Sequence, residues 1–162
     1  MSFLGYMRAD GSVGTRNYVL VIPQGLIAKS ISDFVVGTRT IQTVDHGSGR
    51  TANDRERIAR VLIGLGRNPN VASVIVHAAS PGVGYPELKA ERLAEEIAAS
   101  DKRVEVIDPA KDGGVYESIA KGMRLARMMV YEASKLRRVE VGDEHLCVGV
   151  KCANQKPDQP AS

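Results

Sequence analysis

The segment Asp45-His46-Gly47-Ser48-Gly49-Arg50-Thr51 concentrates more chemistry than any other stretch of this chain. Ser48 and Gly49 are small enough to let backbone amides approach a ligand at a helix start, which favours carboxylate or phosphate. Arg50 can clamp such an anion through two parallel hydrogen bonds. His46 offers a neutral imidazole near pH 7, suited to general-base catalysis or to metal ligation. The same residues also make a plain glycine loop whose histidine hydrogen-bonds to a neighbouring loop.

Three further places carry reactive groups. Asp112-Gly113-Gly114 precedes a long amphipathic run, where the amides of Gly113 and Gly114 suit an anionic group, although an ordinary turn fits as well. Lys151 can polarise a carboxylate or, if desolvated, remove the proton beside it, and the thiol of Cys152 can bind a soft metal. His77 ends an apolar run, either at the same rim or as a satisfied core-edge histidine. The polar, glycine-punctuated stretch 5–17 reads as a loop feeding a buried strand, in which Arg8 and Asp10 pair with each other or grip something else.

The elements that must hold these groups follow from periodicity. Residues 18–23, 40–44, 71–77, 104–108 and 146–150 are short, near-continuous apolar runs of the kind buried on both faces of a sheet. Residues 26–36, 53–65, 87–99 and 116–137 place apolar side chains at three and four spacing and read as helices. Steady alternation of strand and helix predicts an α/β domain, a three-layer α/β/α arrangement with a parallel sheet of about five strands. The order is expected to be 2-1-3-4-5, flavodoxin-like or Rossmann-like. Thr51 to Asp54 supplies a helix start, Gly66 a stop, and Pro86 a first-turn proline. The stripe of Ile119, Met123, Ala126, Met129, Val130 and Ala133 is expected to pack in the core. In such a sheet the loops at the carboxyl ends of the strands converge on one rim, and these loops hold His46, Arg50, Gly113, Gly114 and Lys151.

The 162 residues, 43% hydrophobic and 25% charged, make one domain over 1–153 followed by a polar tail over 154–162. A net charge of +3 with interleaved signs and 4% aromatics is no nucleic-acid footprint, and it suits a small anionic substrate. Cys147 and Cys152 are spaced so that a strand would not let them bridge, so reduced thiols and a cytoplasmic setting are expected. There is no basic-then-apolar leader and no run of membrane-spanning length. No Gly-x-Gly-x-x-Gly follows a strand, so no nucleotide cofactor is expected.

Taken in order, several strings resemble the altronate and galactarate dehydratase family of sugar-acid hydro-lyases, to which sulfolactate sulfo-lyase is also similar. They are Gly5-Tyr6-Met7-Arg8-Ala9-Asp10-Gly11-Ser12-Val13-Gly14-Thr15-Arg16-Asn17, Asp45-His46-Gly47-Ser48-Gly49, Leu62-Ile63-Gly64-Leu65-Gly66-Arg67-Asn68-Pro69-Asn70-Val71, Asp112-Gly113-Gly114 and Leu146-Cys147-Val148-Gly149-Val150-Lys151-Cys152. The resemblance implies a lyase or lyase subunit that dehydrates a sugar acid next to its carboxylate. It places His46 and Lys151 in catalysis, with Ser48, Gly49, Arg50, Gly113 and Gly114 on the substrate. It also implies divalent iron. Here the chain departs from the family, with Arg50 and Ala79-Ser80-Pro81 where cysteines are usual, which leaves His46 and Cys152 as candidate ligands. A partner subunit or a second copy is expected to complete the site. The alternative is a non-catalytic anion-binding or assembly module derived from the same family.

Overall fold

The computed structural model describes residues 1–41, 51–78 and 85–149. Its centre is a pair of parallel strands, β3 (Tyr18–Ile22) and β5 (Val71–His77), whose β-branched runs are almost wholly buried. The two-residue strand β4 (Thr38–Arg39) extends the sheet beyond β3, and β6 (Arg103–Ile107) extends it beyond β5, both in parallel. The order β4-β3-β5-β6 is the expected 2-1-3-4.

Helices flank both faces because successive strand residues point to opposite sides. Leu20, Ile22, Val74 and Val76 pack under α2 (Ala52–Arg67) and α3 (Ala90–Ala98). Val19, Val21, Ile75 and Ile107 pack under α1 (Leu26–Phe34) and α4 (Val115–Lys135). The α4 stripe is core, as expected: Ala126, Met129 and Ala133 are buried, and Ile119, Met123 and Val130 pack beside them. The Thr51 start of α2 is a reciprocal capping box with Asp54.

Several boundaries differ from expectation. Among the described residues the sheet has four strands, not five. Leu146 to Gly149 form no strand, and Leu146 and Val148 are 49% and 68% exposed. An apolar run marks a segment that can be buried, but here the chain leaving α4 goes to a different sheet. The second strand is Thr38–Arg39, ahead of the expected 40–44, of which 42–44 lie outside the described residues. Gly66 is not a stop; it lies inside α2, where a β-carbon would come 2.6 Å from Ile97 Cδ1, so its role is close packing on α3. Pro86 opens a 3-10 turn, Pro86–Leu88, and α3 begins only at Ala90.

The stretch read as an amino-terminal loop is instead two strands of a second, antiparallel sheet. Strand β1 (Ser2–Met7) pairs with β2 (Val13–Gly14) on one side and with β7 (Val139–Gly142) on the other. The hairpin turn is set by Asp10, whose carboxylate accepts from the amide and hydroxyl of Ser12, and by Gly11 at φ +80°. Those two hydrogen bonds hold the Asp10 carboxyl below its ordinary value. Arg8 does not bridge to Asp10. Its Nε donates to the Pro69 carbonyl at 2.7 Å and its guanidinium reaches the Arg16 carbonyl, which ties the small sheet to the amino-terminal edge of the large one.

Candidate functional site at the carboxyl edge of the sheet

The chain turns from β3 towards β4 on one side and, through α2, to β5 on the other. The strand order therefore reverses between β3 and β5, and the carboxyl ends of these two strands flank the crevice where ligands bind in open parallel sheets. His77, the last residue of β5, stands at that point. It is 7% exposed, with Nε2 2.7 Å from the carbonyl oxygen of Pro23 and Nδ1 3.0 Å from that of Ala78. Of its two readings, the core-edge one holds for its nitrogens, yet the carbonyls it engages belong to the two loops that border the crevice.

The Asp112-Gly113-Gly114 turn closes the same edge beyond β6. Gly113 and Gly114 have φ of +89° and +108°, a region that strongly favours glycine. The Asp112 carboxylate is turned inward, accepting from the Asp108 amide at 3.0 Å and pairing with Lys121 Nζ at 2.5 Å. The lysine contact is the main reason its pKa lies below the ordinary carboxylate range. With Asp112 so engaged, α4 starts at Gly114 with no side-chain cap among the described residues, and a β-carbon at Gly114 would meet none of their atoms within 4 Å. At the start of this 21-residue helix the dipole favours negative charge.

Helix α1 begins in the same way, from Gly25 and without a side-chain cap. Helix α2, in contrast, satisfies its own start through Thr51 and Asp54. Next to that start, Arg55 is held by Glu87 at 3.1 Å and lies over the Tyr85 ring, and the Arg55 contact lowers the pKa of Glu87.

The structure thus places Gly113 and Gly114 as anticipated, at a rim helix start. His46, Ser48, Gly49, Arg50, Lys151 and Cys152 lie outside the described residues. Among the described residues no three His, Cys, Asp or Glu side chains come together, so these residues alone do not fit a divalent metal. Cys147 is a free, exposed thiol. The sequence places Gly25 in a rim loop after the first strand of the parallel sheet, as the structure does. It gives Ser118 no role, although a serine inside an inward-facing stripe was a signal for it.

Comparison with known proteins identifies relatives of the chain. The model of the D-galactarate dehydratase/altronate hydrolase second domain matches residues 5–134. The chain is 35% identical over 157 residues to (2R)-sulfolactate sulfo-lyase subunit beta of Chromohalobacter salexigens, covering 93% of this chain and 38% of that protein. It is 24% identical over 164 residues to altronate dehydratase of Bacillus subtilis, covering 93% of this chain and 32% of that protein. The chain thus spans about a third of the length of the curated relatives it matches. No solved structure matches it closely. Among the described residues no helix is long and apolar enough to cross a membrane. With its domain match covering most of the chain, this protein belongs to the D-galactarate dehydratase/altronate hydrolase second-domain family.

Proposed function

We propose that this chain is the substrate-anchoring domain of a lyase that acts on a small hydroxy acid, holding the acid's carboxylate at the carboxyl edge of its parallel sheet. The observation that carries this reading is the start of α4 behind Gly113 and Gly114, without a side-chain cap among the described residues, at the same sheet edge as the strand-order reversal. Free amides at a helix start offer fixed donors to an anion and require little reorganisation when charge builds up on it. Elimination needs a base to take the proton next to the carboxylate; the electron pair then forms the double bond, and the group on the neighbouring carbon leaves with its bonding electrons. Fixing the carboxylate stabilises the negative charge that gathers there, and His46 and Lys151 are the groups assigned to the proton transfers. One relative named as a sulfo-lyase and another named as a dehydratase support this chemistry, and the subunit naming of the first supports a partner polypeptide that completes the site. A flavodoxin-like arrangement agrees with the order of the four strands.

A second reading, an assembly module, is favoured by one feature. A groove of about 440 Å³ between α1 and α4 is lined by Phe34, Val36, Val130 and Tyr131 with Arg127, and Phe34 is 77% exposed. Calorimetric titration of the chain with (2R)-sulfolactate and with altronate, beside a turnover assay, separates the two. Binding with little turnover by the chain alone is the expected result. Absence of binding to either acid overturns the anchoring role and favours assembly.

A further inference from the structure

Ser118 is fully buried, and among the described residues its hydroxyl has no hydrogen-bond partner. Buried hydroxyls are ordinarily satisfied, so the one at Ser118 calls for an explanation. It lies one turn before Gly122 on the inward face of α4, and at Gly122 a β-carbon would come 2.3 Å from Ile31 Cδ1 and 2.8 Å from Ile107 Cδ1. Helices α1 and α4 pack together on one face of the sheet, and both start at its carboxyl edge. One turn back from Ile31 is Ile27, in the first turn of α1, so Ser118 lies level with that turn. Side chains on a helix lean towards its amino end, which leans Ser118 towards the start of α4.

The start of α1 is unusual in its own right. Its N-cap, Gly25, has extended backbone geometry, φ 166°, that any residue adopts. Among the described residues a β-carbon there would meet only His77, at 3.6 Å, an ordinary contact. Neither backbone nor packing calls for glycine at this position. What glycine provides is close approach to the amides of Leu26, Ile27 and Ala28, with no acidic residue in the first turn to occupy them.

We propose that the first-turn amides of α1, together with the Ser118 hydroxyl, form an oxyanion subsite, beside the α4 start, that takes a carboxylate or sulfonate group of the substrate. The subsite rests on the lyase reading above and adds α1 and Ser118 to it. Ser118 supplies the hydrogen bond that its burial otherwise leaves unmade, and Gly25 leaves the amides open for the ligand.

The test is amide chemical-shift titration of the ¹⁵N-labelled 162-residue chain with sodium glycolate and, separately, sodium methanesulfonate, which distinguish the two oxyanions. Saturable shifts are expected at residues 26–28. Ser118→Ala should weaken them about tenfold, because it removes a hydrogen bond to a charged group. It should do so without lowering the thermal midpoint of the free chain, since an unpartnered buried hydroxyl is lost. Gly25→Asp places a competing carboxylate at the N-cap, so it should raise the midpoint and abolish the shifts at 26–28. Shifts confined to residues 115–117, or shifts at 26–28 indifferent to both variants, overturn the α1 subsite while leaving the lyase reading intact. No saturable shift at either helix start with either anion overturns both.

Discussion

His77 Nε2 lies 2.7 Å from the carbonyl oxygen of Pro23, which joins the end of β5 to the loop that leads into α1. The opposite ring nitrogen faces the Ala78 carbonyl, so one side chain touches both loops bordering the crevice. A neutral imidazole carries one N–H and satisfies one carbonyl at a time. His77→Phe keeps much of the ring volume and removes the N–H donor. It is expected to cost about 1–3 kcal/mol in urea unfolding, the penalty for stranding a buried carbonyl. His77→Gln, which retains a donor, should recover part of that loss; equal losses in the two variants would mean that packing, not hydrogen bonding, sets the role.

Lys102 is the cationic counterpart at the opposite edge of the sheet. Its ammonium donates to the carbonyls of Asn68 at 2.5 Å and Gly66 at 3.1 Å, at the end of α2, where positive charge complements the dipole. Burial, followed by the nearby Arg8 guanidinium, lowers its pKa to about 8. Between about pH 8 and the unfolded lysine value near 10.4 the unfolded chain holds a proton that the folded chain has released, so stability rises with pH across that window. The two carbonyl acceptors offset much of the burial, which leaves a rise of about 1–2 kcal/mol. Lys102→Met should lack this rise, so the stability difference, wild type minus variant, increases from pH 8 to pH 10. A gap constant with pH would show that the amine does not titrate there.

How much of this was legible varies with the signal each element carries. Strand β5 was readable to both ends because Val71-Ala72-Ser73-Val74-Ile75-Val76-His77 is an apolar run bounded by Asn-Pro-Asn on one side. Strand β1 was not, because its outward residues Leu4 and Tyr6 are as apolar as its inward Phe3, and Gly5 reads as a loop residue. Gly5 is there because a β-carbon would come 2.3 Å from Val13 Cγ1 in the hairpin partner, a fact of tertiary contact that no local pattern contains. β7, with four residues, is too short to show alternation. At the site, Gly113 and Gly114 could be read because a glycine pair before an amphipathic run has local meaning. The buried hydroxyl of Ser118 acquires meaning only once α1 lies beside α4.

The contact between α1 and α4 gives a prediction through Gly122. Alanine there gains about 1 kcal/mol in helix propensity, yet its methyl must displace the ends of Ile31 and Ile107. Overpacking of this kind costs about 1–3 kcal/mol, so Gly122→Ala should be net destabilising. Ile31→Val removes the methyl in the way. The double variant Gly122→Ala/Ile31→Val should therefore be more stable than the sum of its single changes, and strict additivity in thermal unfolding would deny the contact.

Asp112 closes the rim turn, and its charge is what holds Lys121. Because its folded pKa lies below the unfolded value, chiefly through the Lys121 hydrogen bond, its contribution to stability is present above about pH 4 and fades as acid protonates the folded carboxylate. Asp112→Asn preserves the shape and an acceptor for the Asp108 amide while abolishing the ion pair. Lys121 is partly exposed, so screening limits the loss to about 1 kcal/mol at pH 7. The variant's stability should fall less steeply than wild type below pH 4, and the two curves should converge there. The same substitution removes a negative charge within the turn that precedes the α4 amides, so anion binding at residues 115–117 should be unchanged or tighter. Weaker anion binding by Asp112→Asn would mean that the turn's geometry, not the open helix start, holds the ligand, and a wild-type curve parallel to the variant's in acid would remove the ion pair from the account of the rim.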